Sequence, residues 1–218
     1  MLNYNPREVE LALLAAGEDW PFPQASDRSA WEAVETSIAD DVLGAAEEAA
    51  SAPIPPLPAT LYLEFKRVGT REGYESAANE RRRRLALLAV AECLEGRGRF
   101  LDPLLDLAWA ICEESSWCWP AHQVELAEPG RPVIDLSAAM TALSLAELVA
   151  LLGDRLAPVV GRRIRHEAAR RCFDPYLYRH DHWWLFSAGG RQLNNWTAVC
   201  NAGGVGAAIY LEQDPGRL

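Results

Sequence analysis

The sequence predicts an all-α fold built of helical hairpins, and two observations support this prediction. The first is an almost wholly apolar stretch, 85–94 (LALLAVAECL), which indicates a helix buried on more than one side. The second is a repeated unit of apolar helix, glycine turn and second helix: aligning Pro103 with Pro158 also aligns Gly98 with Gly153. A period of this length with two helices per unit is typical of stacked helical hairpins.

Residues 1–58 are expected to form an N-terminal helical segment that ends in a proline-rich strap. A short helical run, 9–16, precedes a helix that starts at Asp27 and continues to about Ala50. Residues 51–58 (SAPIPPLP) are too apolar for a flexible linker and favour an extended strap lying on the body of the protein.

Residues 59–218 form the second predicted unit, the hairpin domain. The alternation in 61–67 (LYLEFKR) indicates either a lone strand or an extended segment that enters the first repeat helix. The four arginines at 81–84 cannot share one helix face, because successive residues are rotated by about 100°. We interpret them as solvated, acid-paired side chains in preference to an anion site.

The hairpin domain is predicted to alternate inner and outer helices. Asp102 and Asp135 are expected to cap helices, and the arginines of 158–171 favour a solvent-facing position for that helix. The small residues at 202–208 require a close approach, either by a neighbouring helix or by a substrate. Inner helices are predicted near 85–95, 137–152 and 196–211, outer helices near 103–114 and 158–171, and a loop over 173–193.

Composition excludes several classes of function. The net charge of −10 and the pI of about 4.9 argue against nucleic-acid binding and against docking on anionic membranes. No uninterrupted apolar run approaches the roughly 20 residues needed to span a bilayer, and residues 1–8 lack the order of a signal peptide. The five cysteines form no CxxC pair and are expected to be buried free thiols. We therefore expect a soluble, cytoplasmic protein.

Three segments concentrate aromatic and polar side chains: 117–122, 180–184 and 194–201. If the hairpins pack in register, these segments lie at one rim, where indole faces stack on sugar rings and amides bind hydroxyls or carboxylates. The alternative is that the aromatic rings only fill the end of a helical ring. The residues expected to contact a substrate are Trp117, Trp119, His122, His182, Trp183, Trp184, Asn194 and Trp196.

The pair His180 and His182 beside Asp181 invites comparison with a metal site. No further histidine or carboxylate stands at a helical ligand spacing from this pair, so we expect no metal. The sequence also has no glycine-rich phosphate loop after a strand and no nucleophile elbow. We expect no cofactor.

Several longer motifs resemble the N-terminal part of heparinase II/III-like proteins, over roughly residues 57 to 212. The resemblance implies an incomplete (α/α) toroid built of helical hairpins, normally followed by a β-sandwich domain. The matching motifs are 57–65 (LPATLYLEF), 80–84 (ERRRR), 92–96 (ECLEG), 99–102 (RFLD), 109–117 (WAICEESSW), 119–122 (WPAH) and 195–201 (NWTAVCN).

The resemblance also implies a chemistry. Active members of the family are lyases that cleave uronic-acid glycans by β-elimination, with one group neutralising the C5 carboxylate, a base and an acid. Asn195 matches a neutralising Asn, whereas Trp196 stands where a His often follows and Val199 where a Glu often stands. The family's catalytic Tyr and His are expected beyond Leu218, so the chain by itself is expected to be inactive. The expected partner is an acidic polysaccharide or oligosaccharide.

The negative charge keeps a second interpretation open, because a polyanionic substrate prefers a basic cleft. In this alternative the chain is a non-catalytic, helical carbohydrate-binding or scaffold protein that has kept the toroid.

An incomplete ring predicts self-association. The apolar run 205–211 would form an exposed edge, which monomers rarely tolerate, so we expect a homodimer through this edge. Light scattering at micromolar concentration tests this, and a clean monomer would contradict it.

Overall fold

The structure is a computed structural model that describes residues 5, 7, 21–123, 125–128, 130–185, 194–214 and 216–218. Over these residues it contains helices and no strand, which confirms the all-α class. A 3₁₀ turn, Gly153–Arg155, and a π-helical segment, Ala169–Phe173, flank one of the helices. The α-helices are α1 (Arg28–Glu32), α2 (Thr36–Ser51), α3 (Ala59–Tyr62), α4 (Glu64–Val68), α5 (Glu72–Glu95), α6 (Leu101–Glu113), α7 (Leu136–Leu152), α8 (Pro158–Ala168), α9 (Asp174–Tyr178) and α10 (Asn195–Leu211).

The five principal helices form two layers. α5, α7 and α10 pack side by side in that order, and the hairpin partners α6 and α8 lie against α5 and α7 and against each other. Gly96 and Gly153 follow the ends of α5 and α7 with φ of 69° and 52°, a region that favours glycine. The predicted helices are present near their predicted bounds, although α5 begins earlier, at Glu72. The predicted helix 9–16 lies outside the described residues.

Helix α7 occupies the centre of the molecule, between α5 and α10 with α8 behind it. Together with the following turn, Leu136–Arg155 is long and apolar enough to cross a membrane by length and composition, with 56% of its window buried. A count of uninterrupted apolar residues does not reveal this segment, because polar residues such as Thr141, Ser144 and Glu147 interrupt it. In the structure the other helices cover much of its surface, as expected of a core helix.

The close approach predicted for 202–208 is made by a neighbouring helix. A Cβ atom added at Gly203 would lie 2.7 Å from the carbonyl carbon and oxygen of Ala139 on α7. Gly206 faces Leu143 in the same way, with 3.0 Å between an added Cβ and Cδ1. The small residues therefore let the backbones of α7 and α10 come together.

The segment 61–67 is helical, so both the strand and the extended segment were wrong. Leu61 packs against the cluster formed by Tyr62, Tyr74 and Ala78, and the Tyr62 hydroxyl donates a hydrogen bond to the Cys118 carbonyl at 3.0 Å. These tertiary contacts override the local alternation, which by itself fits either a strand or a short turn of helix.

The interpretation of the arginines at 81–84 as solvated is wrong for three of them. Arg81 donates to the Pro55 carbonyl, and Arg84 to the Ala52 and Pro53 carbonyls. These bonds hold residues 52–55 against α5, and 53–58 have no regular secondary structure, whereas Ser51 of the predicted strap belongs to α2. Arg82 bonds to Glu114 and Thr141, and only Arg83 pairs with an acid at the surface.

Other local predictions also need correction. The helix predicted from Asp27 is broken into α1 and α2, with Asp27 capping α1. Helix α6 starts at Leu101, so Asp102 lies inside its first turn and is not a cap. The predicted loop contains α9, and Arg171 of the predicted solvent-facing helix is buried, where it bonds to Glu167.

The edge expected to be exposed is the outer face of α10. Val205 and Ile209 keep 47% and 48% of their surface accessible, and Asn195, Ala198 and Ala202 continue the same stripe. The stripe carries no charged side chain. Dimerisation through it stays a prediction. All five cysteines are buried and free, as expected.

The contact between α7 and α10 predicts opposite effects for two glycine substitutions. Gly203→Ala should destabilise the protein by about 1–3 kcal/mol, because the methyl group forces two backbones apart. Gly44→Ala, in exposed α2 with no atom within 4 Å of the added Cβ, should instead stabilise it by about 0.5–1 kcal/mol. Urea unfolding of both variants measures the difference, and equal effects would contradict the packing described.

Candidate functional site

A groove of about 420 Å³ lies beside the starts of α7 and α10. It is bounded by the connection from α6 to α7, by the turn after α9 and by the first turn of α10. The structure thus brings together side chains from all three aromatic segments of the sequence. The expected contact residues that line it are His122, His182, Trp183, Trp184 and Trp196.

Three rings form a continuous row along the groove. The Trp196 ring lies between Trp183, at 4.8 Å between centroids, and His122, at 4.5 Å. Trp183 is 42% exposed, which is unusual for an indole, and Trp196 is half-buried. An aromatic row with one open face is the arrangement on which flat, partly apolar ligands such as sugar rings stack.

A histidine and a buried carboxylate stand at the end of this row. His122 Nδ1 is 2.6 Å from Asp135 Oδ2, and Asp135 has no accessible surface. The same carboxylate accepts hydrogen bonds from the backbone N–H groups of Trp119, at 3.0 Å, and Ala138, at 2.7 Å. The predicted cap of α7 is thereby confirmed, and the cap also holds a groove residue.

The floor of the groove is built of buried, satisfied groups. Trp184 donates from Nε1 to the Ile134 carbonyl at 3.0 Å, and its own carbonyl accepts from the Thr197 hydroxyl at 2.8 Å. The His182 ring stacks on Trp184 at 5.3 Å and bonds to the Pro175 carbonyl. Burial lowers the pKa of His182, so this ring is held neutral below the indole row.

The charged groups at the groove are mutually paired. Arg179 and Arg131 both donate to Asp181, at 3.0 and 2.7 Å, and these bonds hold the pKa of Asp181 well below its usual range. Glu125 pairs with Lys66, which does not line the groove, and Glu128 adds a further carboxylate. The groove is therefore not a basic cleft.

The two asparagines at the start of α10 have different roles. Asn194 is the N-cap: its side-chain oxygen accepts from the Trp196 N–H at 2.8 Å. Asn195 is exposed, and its amide makes no hydrogen bond with any residue that the structure describes. The amide of Asn195 is therefore available at the positive end of a 17-residue helix.

Three expected contact residues, Trp117, Trp119 and Asn194, do not line the groove, and neither does Asn195. Trp117 is buried in the core, where its Nε1 donates to the Ile111 carbonyl and the Arg171 guanidinium stacks 4.7 Å from its ring centre. Trp119 packs against the cluster of Tyr62 and Tyr74. Their sequence positions next to His122 did not reveal this, because consecutive loop side chains point in different directions.

Cys200 and Tyr176, the thiol and the phenol discussed for the start of α10, are in surroundings that favour their protonated forms. Burial raises the pKa of Cys200 to about 12, which disfavours the thiolate that a nucleophile needs. The Tyr176 hydroxyl donates to the Asn201 side chain at 2.6 Å, and burial raises its pKa. His180 is exposed while His182 is buried, and no group of three metal-ligand side chains occurs among the described residues.

Sequence reasoning missed several groove residues. Asp135 was identified only as a helix cap, and nothing in the sequence connects it to His122. Arg131 and Arg179 were not selected, although Arg179 stands two residues before its partner Asp181 and could have signalled an ion pair. Arg131 reaches the same carboxylate only through the fold.

Comparison of this chain with models of known protein families and with curated proteins finds no match.

The division of roles between the asparagines predicts a difference in stability. Asn194→Ala should lower the free energy of unfolding by about 1 kcal/mol, because it removes the cap of α10. Asn195→Ala should change it by less than about 0.5 kcal/mol, since an exposed amide without a partner is lost. Thermal unfolding of the two variants side by side measures this, and a reversed order would place the cap at Asn195.

Proposed function

We propose that this chain is the N-terminal part of the toroid domain of a heparinase II/III-like polysaccharide lyase, and that its groove binds a uronic-acid-containing glycan. One observation supports this most directly. The row of Trp183, Trp196 and His122 includes the first turn of α10, where Asn195, which precedes Trp196, has an exposed amide that bonds to no described residue, although Asn195 itself does not line the groove.

The arrangement of the helices supports the proposed architecture. The chain alternates between two layers through the hairpins α5–α6 and α7–α8, and α10 adds the next helix of the first layer. An (α/α) toroid is built by repeating this step around an axis. The unpartnered stripe of α10 is where a further hairpin, or a second copy of the chain, would continue the packing.

The proposed chemistry uses the start of α10. In β-elimination a base removes the C5 proton, the electron pair of the C5–H bond forms the C4–C5 double bond, and the C4–O4 bond breaks as O4 takes up a proton from an acid. Negative charge grows on the C5 carboxylate as this happens, and hydrogen bonds from the Asn195 amide would stabilise it. The helix N-terminus adds a favourable potential at the same place. We assign neither the base nor the acid to a described residue, because Tyr176 is already bonded to Asn201.

The charge of the groove favours a second candidate function, carbohydrate binding without catalysis. Both arginines of the groove are already bonded to Asp181, Lys66 is paired with Glu125, and Glu128 adds a further negative charge, so these cations are not free to attract a polyanion. Recognition would then depend on stacking and on hydroxyl groups more than on charge. A glycan panel that includes neutral and acidic oligosaccharides distinguishes the two functions.

Removal of the amide tests the lyase proposal. In the full-length protein, Asn195→Ala should slow elimination by about 10²- to 10³-fold, the scale of losing one oxyanion-type donor, with a nearly unchanged melting temperature. The rate is followed as the absorbance of the unsaturated uronate product on alginate and heparan sulfate oligosaccharides. Asn201→Ala is the control, because its amide is bonded to Tyr176.

The outcomes separate the candidates. Elimination by the wild type that Asn195→Ala leaves unaffected would refute the assigned role of the amide. Oligosaccharide binding without any elimination in the full-length protein would support the second candidate. Neither binding nor elimination across the panel would overturn both.

A further inference from the structure

The bond between His122 and Asp135 fixes which ring nitrogen of the histidine carries the proton. Asp135 Oδ1 accepts from the Ala138 N–H, and Oδ2 accepts from the Trp119 N–H. A carboxylate that receives two backbone donors acts as an acceptor, so the third contact, at 2.6 Å, must be donated by His122 Nδ1. The bond made by one ring nitrogen thus sets the state of the other.

With the proton of the neutral tautomer on Nδ1, the opposite nitrogen is a lone-pair acceptor. His122 Nε2 has no hydrogen-bond partner among the residues that the structure describes, while the ring itself lines the groove. The centres of the His122 and Trp196 rings are 4.5 Å apart with 63° between the planes, so a ligand stacked on the indole row comes within reach of the imidazole. An acceptor placed there requires a donor from the ligand.

We propose that His122 Nε2 accepts a hydrogen bond from a hydroxyl group of the sugar that stacks on Trp196, and that Asp135 is the positioning residue that keeps it an acceptor. This inference rests on the proposed carbohydrate-binding function of the groove. It makes the groove selective for a free hydroxyl on the bound residue. A uronate carboxylate has no proton to donate, and an O-methyl or O-sulfo substituent removes the donor.

Burial explains why this histidine is well placed for recognition. The fully buried carboxylate cannot turn toward solvent, and the backbone bonds to Trp119 and Ala138 fix it at the start of the central helix. The imidazole therefore loses little conformational freedom when a sugar binds, which favours affinity. His180, two residues from His182 and exposed, has no such partner and offers a matched control.

The test uses a variant that keeps the structural bond and removes only the acceptor. In His122→Asn the side-chain amide can still donate to Asp135 from the position of Nδ1, but nothing replaces Nε2. We expect melting close to wild type and oligosaccharide binding about 3- to 10-fold weaker, the scale of one neutral hydrogen bond. His180→Asn should bind like the wild type. Affinities are measured by calorimetry with alginate and heparan sulfate oligosaccharides and with their O-methylated forms.

A second measurement does not depend on any glycan. Nitrogen-15 NMR of the imidazole reports the tautomer, and the neutral His122 ring should carry its proton on Nδ1 in the wild type. A proton on Nε2 in the neutral ring would overturn the inference by itself. Asp135→Asn, if it folds, should shift the population toward the other tautomer.

The outcomes distinguish a failure of the role proposed for His122 from a failure of the carbohydrate-binding function. If the wild type binds and His122→Asn binds equally well, the inference fails and the carbohydrate function stands. If the O-methylated oligosaccharides bind as tightly as the free ones, the hydroxyl donor is wrong. If the wild type binds no oligosaccharide of the panel, the proposed function fails and this inference fails with it.

Discussion

The structure around the groove depends on the hydrogen bonds of the buried Asp135 carboxylate. It starts α7, the helix that touches α5, α8 and α10, and it also holds the backbone of the preceding loop at Trp119. Its third partner, His122, faces the groove. A fully buried charge is tolerated only when its hydrogen bonds are complete, so the loop, the helix start and the histidine form a single unit.

Close packing of α7 and α10 places the Asp135–His122 pair next to the aromatic row. Gly203 lets α10 lie directly on the backbone of Ala139, which a side chain would prevent. The first turn of α10 is thereby brought beside the first turn of α7, and Trp196 reaches the His122 ring. The geometry of the candidate site thus depends on residues that have no side chain to contribute to it.

The use of arginine in the interior explains why the groove of this acidic chain is not basic. Arg81 and Arg84 donate to carbonyl groups of the strap, and Arg171 pairs with the buried Glu167. These guanidinium groups stabilise the fold and neutralise nothing at the groove. Recognition of a glycan would consequently rely on ring stacking, the Asn195 amide and a hydroxyl acceptor, all of which are uncharged.

Sequence alone determined the helical class, the hairpins and the approximate bounds of α6, α7, α8 and α10, because glycine turns and runs of buried apolar residues are local patterns. It also identified His122, Trp183 and Trp196, since their concentration in loops is visible in one dimension. Only tertiary structure decided that Trp117 is a core residue, that Asn194 and not Asn195 caps α10, and that Asp135 orients His122. These outcomes depend on the direction in which a side chain points and on hydrogen bonds and packing between residues far apart in the chain. Residue spacing in the sequence does not specify either.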